Sequence, residues 1–100
     1  MEKIKRDDAV HLLSQVVDPE MGADIVNLGL IYNIDIKPNN DVNVILTMTS
    51  PMCPVISIIL ADVQLRLQSI PNVGKVDLEL VWEPMWSPEM MSDDLKYAKY

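Results

Sequence analysis

The sequence is short of the residues that staple a fold, cross a bilayer or grip nucleic acid. Cys53 is the only cysteine, so no disulfide can close within the chain, which fits a reducing cytoplasm. His11 is the only histidine. With Cys53 it cannot complete a zinc site built from the usual Cys and His ligands of one chain. No apolar run reaches the roughly 18 residues of a spanning helix, so no membrane association is expected. The opening stretch MEKIKRDDAV has no apolar signal region, so export is not expected and a cytoplasmic location is. Positive charge is scarce: eight Lys and Arg stand against 15 Asp and Glu, a net −7. The basic residues do not cluster beyond KIKR. A face for phosphates is therefore missing, and nucleic acid is excluded as a partner. There is no internal repeat and no low-complexity segment.

What is present suits one globular domain spanning 1–100. A chain of this length buries roughly two-thirds of its unfolded surface, enough for a single core without staples. Ala9, Leu12, Leu13 and Val16 recur at helical spacing, which predicts a helix over about 5–16. Pro19 stops it. The segment 21–29 reads as a loop punctuated by Gly22 and Gly29. Leu30, Tyr32, Ile34 and Ile36 alternate with Asn33 and Asp35, which predicts a half-buried strand. KPNND, 37–41, is a hairpin turn. Val42, Val44, Leu46 and Met48 then form the inward row of a second strand, with Asn43, Ile45, Thr47 and Thr49 facing the other way.

A second helix should start at Pro54 and run to about Gln68, burying Ile56, Ile59, Leu60, Val63 and Leu67. Cys53 would be its N-cap. A third strand covers 75–82, with Val76, Leu78, Leu80 and Trp82 inward. A Trp- and Met-rich tail, 83–100, follows, with a capped turn at Ser87–Pro88–Glu89 and a last helix capped by Ser92. The order α-β-β-α-β-α predicts an α+β, two-layer sandwich: a small mixed sheet with helices on one face.

The stretch TMTSPMCPVI raises the chemical question. At a helix N-terminus, Cys53 would meet unpaired backbone N–H groups that favour thiolate, the form that attacks electrophiles and binds metals. Thr47, Thr49 and Ser50 are hydroxyl donors nearby, and the flanking Pro51 and Pro54 stiffen the loop. Spacing leaves three roles open: structural thiol, nucleophile or metal ligand. Asp18 and Glu20, two apart around Pro19, could turn toward a common site or simply form a solvated turn. His11 reads as a partly exposed helix residue. Met85, Met90 and Met91 with Trp86 make an adaptable apolar tail that covers a core edge or a dimer seam, or forms a partner groove.

Three stretches, DPEMGADIVNLGLIYNIDI, VILTMTSPMCPV and VDLELVWEPMWSPEMMSDD, resemble in that order the iron–sulfur cluster assembly factor family that includes SufT, PaaD and the eukaryotic cytosolic cluster-targeting factors. The resemblance covers about 7–95. It implies an α+β fold and a role in maturing iron–sulfur proteins. By matching position it points to Asp18, Pro19 and Glu20; Leu28 and Gly29; Thr49, Cys53 and Pro54; and Pro84 with Trp86. The sequence departs from the pattern at Met85, where the family usually has a second proline, and at Met52, which replaces a frequent glycine.

The reading that follows is a non-enzymatic assembly or delivery factor. Cys53 contacts iron or a cluster transiently, with Asp18 or Glu20 as candidate oxygen ligands and no cofactor expected in the purified protein. Its partners would be iron–sulfur assembly proteins and client apo-proteins. The alternative is a protein-binding adaptor without metal ligation of its own. A cysteine enzyme lacks an evident base, because His11 belongs to a different segment. Exposed edges of a three-stranded sheet point to a homodimer.

Overall fold

A computed structural model describes residues 4–50 and 54–91. Its elements are helix α1 (Arg6–Leu13), strands β1 (Val17–Asp18), β2 (Ala23–Asp24), β3 (Ile31–Ile36) and β4 (Val42–Leu46), helix α2 (Ile56–Gln68), strand β5 (Val76–Leu80) and a 3₁₀ turn, Pro88–Met90. The main sheet runs β3-β4-β5. β3 pairs antiparallel with β4, and β5 pairs parallel with β4 after the α2 crossover. The sheet is therefore mixed, as expected.

Residue alternation explains which face is covered. Val42, Val44 and Leu46 of β4 are buried, with Ile34 of β3 and Val76 of β5 beside them. Ala9 and Leu13 of α1 and Ile59, Val63 and Leu67 of α2 meet that face, and all belong to one core. Fully burying each such aliphatic side chain contributes roughly 1.5–3 kcal/mol. On the other face Asn33, Asp35, Asp77 and Glu79 are exposed, which matches their polarity. Arg66 of α2 joins the helices: its Nε donates to Asp62 Oδ1 at 2.9 Å and its guanidinium to Gln15 Oε1 at 2.9 Å. His11 is exposed, 3.3 Å from Gln15, as a surface helix residue should be.

Three expectations are corrected. The segment 21–29 is not all loop: Ala23 and Asp24 pair with Asp18 and Val17. Two-residue strands carry no period for a sequence pattern to show. Trp82 does not continue the inward row and is 38% exposed, because β5 ends at Leu80 and the alternation ends with it. Helix α2 starts at Ile56 with Val55 as N-cap, not at Pro54 with Cys53. The Ile59 N–H to Val55 carbonyl bond, 3.0 Å, closes the first turn, and Pro54 sits in the turn before it. Cys53 and the last helix lie outside the described residues, and the N-cap argument for a thiolate falls away.

Asn40 ties the base of the sheet together. It turns the β3–β4 hairpin with φ 67°, a conformation Asn tolerates better than most residues. Though only 1% exposed, it is well engaged. Its Oδ1 accepts from the Ile4 N–H at 3.0 Å, and its Nδ2 donates to the Asn72 carbonyl at 3.2 Å. Its own carbonyl accepts from the Gly74 N–H at 2.8 Å. Asn40→Ala should therefore cost about 2–4 kcal/mol in urea unfolding, from orphaned buried groups plus left-handed backbone strain. Asn40→Gly should recover only the backbone part, about 1 kcal/mol.

Candidate functional site

The site lies at one end of the sheet. There β3 begins, β4 and β5 end, and α2 starts. Leu46 pairs with Ile31 on one side and Leu80 on the other. The row continues past the strands: the Val81 N–H donates to the Leu46 carbonyl and the Thr47 N–H to the Leu30 carbonyl, both at 2.9 Å. In open α/β sheets, ligand sites gather outside the carboxyl ends of parallel strands, and this end has that arrangement for β4 and β5.

From β5 the chain crosses this end as a strap, residues 82–91. Trp86 anchors it by donating its indole N–H to the Leu28 carbonyl at 2.6 Å. The Tyr32 hydroxyl donates to the Pro84 carbonyl at 2.7 Å and lies 3.5 Å from Met90 Sδ. Gly29, at φ +78°, lets the strap approach: a Cβ there would run into the Met90 carbonyl. Between the strap and the segment that follows β4 is a cavity of about 200 Å³ lined by Met48, Thr49, Ser50, Trp82, Met85 and Trp86.

The residues singled out from sequence divide among different environments. Thr49, Ser50 and Trp86 share the cavity. Thr47 is fully buried, and its hydroxyl has no hydrogen-bond partner among the described residues. Asp18 is also fully buried. Its Oδ1 accepts from the Glu20 N–H at 2.9 Å, closing an Asx turn, while Oδ2 has no partner. Glu20 and Pro54 are exposed. Backbone bonds link the acidic corner to the end of β4: Ile25 N–H to Val16 carbonyl at 2.9 Å, Leu30 N–H to Ile25 carbonyl at 3.0 Å, then Thr47 to Leu30. Among the described residues no group of three or more His, Cys, Asp or Glu side chains could hold a metal ion. Cys53 is one peptide bond from Pro54 and three residues from Ser50.

Comparison with known proteins adds the decisive finding. The family described as iron-sulfur cluster assembly protein matches residues 6–78, most of the chain, including the acidic corner and Cys53. The chain belongs to that family. It is similar to the Fe-S protein maturation auxiliary factor YitW of Bacillus subtilis, 39% identical over 99 residues that cover 99% of this chain and 94% of the relative. It is 40% identical to the Fe-S protein maturation auxiliary factor SufT of Staphylococcus aureus, over 84% of this chain and 92% of that one. Among solved structures, a conserved hypothetical protein from Thermotoga maritima superposes with TM-score 0.86 at 42% identity, covering 96% of this chain and 94% of that one. The family resemblance and the α+β fold expected from sequence are thus borne out.

Met48 and Trp82 joined the cavity without being singled out as site residues, while Met85 had been singled out as part of the apolar tail with a partner groove among its readings. The available signal was the apolar tail after β5, since Met85 is 77% exposed and so serves no core. Two predictions follow from the geometry. Trp86→Phe removes the donor to Leu28 and should cost about 1 kcal/mol, while Gly29→Ala should cost more and shift tryptophan emission to the red as the strap lifts. Thr47→Val removes a buried hydroxyl that has no partner, so chemical denaturation should find the variant as stable as wild type or about 1 kcal/mol more stable.

Proposed function

We propose that this protein is a non-enzymatic accessory factor that assembles iron–sulfur clusters or delivers them to client proteins, with Cys53 as the transient contact to the cargo. The observation that carries the reading is the family match over residues 6–78, which spans Asp18, Glu20, Thr47, Thr49, Ser50, Cys53 and Pro54. The two buried oxygens without partners, Asp18 Oδ2 and Thr47 Oγ1, support it. Buried polar atoms are nearly always satisfied, and exceptions concentrate where function needs them.

Ligand arithmetic limits the mechanism. A cluster normally takes about four protein ligands. One cysteine per chain gives two in a homodimer, the assembly we infer. The remaining ligands would come from glutathione, from a partner's cysteines or from a carboxylate of Asp18 or Glu20. Such a site releases its cargo readily, which suits transfer. The outer edges of β3 and β5 have no strand partner among the described residues and offer surfaces for pairing. A cytoplasmic location, with client apo-proteins and assembly proteins as partners, completes the proposal.

The cavity beneath the strap favours a second reading, an adaptor that binds client proteins without ligating metal. Anaerobic incubation with iron and sulfide, followed by absorbance, iron counting and solution mass, separates the two. Delivery predicts a cluster band at about one cluster per dimer that is lost in Cys53→Ala. No iron uptake by wild type, with partner binding retained in Cys53→Ser, would establish the adaptor instead.

A further inference from the structure

The cavity under the strap has a size, a lining and a surrounding charge that together define an occupant. At about 200 Å³ it falls below the roughly 300–1,000 Å³ of small-molecule and cofactor sites. One large side chain fits this scale. Two indoles and two thioethers form its walls, with the Thr49 and Ser50 side chains among them. Methionine adapts its shape to the group it meets, and buried aromatic anchors in such pockets dominate protein recognition. The strand and strap that lead into it carry charge of one sign. Residues 76–91 contain Asp77, Glu79, Glu83 and Glu89 and no Lys or Arg. All four carboxylate residues are exposed.

We propose that this cavity is a docking site for a segment of a partner protein in which one large apolar side chain, aromatic or leucine-like, is flanked by lysine or arginine. The apolar anchor fills the space between Trp82, Met85 and Trp86. The flanking cations face Glu83 and Glu89 and select against acidic segments. The proposal deepens the delivery reading, because delivery needs a surface that holds the client, but its chemistry does not require the thiol.

The probe is a blocked Lys-Lys-Phe-Lys-Lys peptide titrated into the ¹⁵N-labelled full chain, read at the indole N–H signals of the two tryptophans. Both indole signals should move saturably. Alanine in place of the phenylalanine should weaken binding about tenfold or more, the scale of one buried aromatic side chain. Glutamates in place of the lysines should weaken it further. Met85→Ala should lower affinity, and a Glu83→Lys, Glu89→Lys pair should remove the preference for the basic peptide while leaving the amide spectrum folded. Cys53→Ser should bind as wild type does. Equal binding of the alanine peptide, or no indole shift at millimolar peptide, overturns the proposal. Loss of binding in Cys53→Ser also overturns it, since docking would then depend on the thiol. Failure of cluster loading does not bear on these readouts, so this proposal and the delivery reading fail separately.

Discussion

Strand β4 is hydrogen-bonded along both edges, and the positions of Thr47, Thr49 and Ser50 follow from that. Its inward row, Val42, Val44 and Leu46, is covered by two helices, so the strand cannot slip by one residue without turning that row to solvent. Leu46 is held by Ile31 and Leu80 at once. The chain that leaves β4 therefore starts from a fixed point. Thr47, Met48, Thr49 and Ser50 come next in sequence, and α2 follows from Ile56. The same end of the sheet receives the strap after β5, because β5 runs parallel to β4 and ends beside it.

Polar burial separates scaffold from site. Asn40 is as buried as Asp18 or Thr47, yet both ends of its side-chain amide are engaged, and it joins three segments. It is a structural residue whose desolvation is offset by hydrogen bonds. Asp18 is half engaged: one oxygen closes the turn before Glu20 and the other meets nothing. Thr47 uses its backbone in the ladder and leaves its hydroxyl bare. An unpartnered buried hydroxyl costs roughly 1–3 kcal/mol. A fold that needed only stability would place valine at 47, the same shape without the cost.

The main elements were legible because they are long enough to show a period. The alternation from Leu30 to Ile36 and from Val42 to Met48 gave two strands, and the Ile59, Val63, Leu67 spacing gave α2. The β1–β2 ladder was not legible, since two residues have no period. The start of α2 was misplaced by two residues because proline suits a turn as well as a first helical position. The strap was visible as an apolar tail, but its path was not. That path depends on the Trp86 indole reaching the Leu28 carbonyl and on Tyr32 reaching Pro84, contacts between residues more than fifty apart. The identity of the candidate thiol was legible from its surroundings in the chain, whereas the cavity required the fold.

The strap differs in chemistry from the stretch that holds the chain's one thiol sulfur, Cys53, which stands in sequence between Pro51 and Pro54. The strap carries no such atom among its described residues. It has indoles, thioethers and carboxylates, the groups that recognise another protein's surface. Where the resemblance set out above implies proline, this chain has Met85, largely exposed at the cavity wall. Proline would fix the backbone and present a short ring; methionine frees the backbone and extends a side chain that can repack. The substitution alters what the wall can contact without altering the distance along the chain to Cys53.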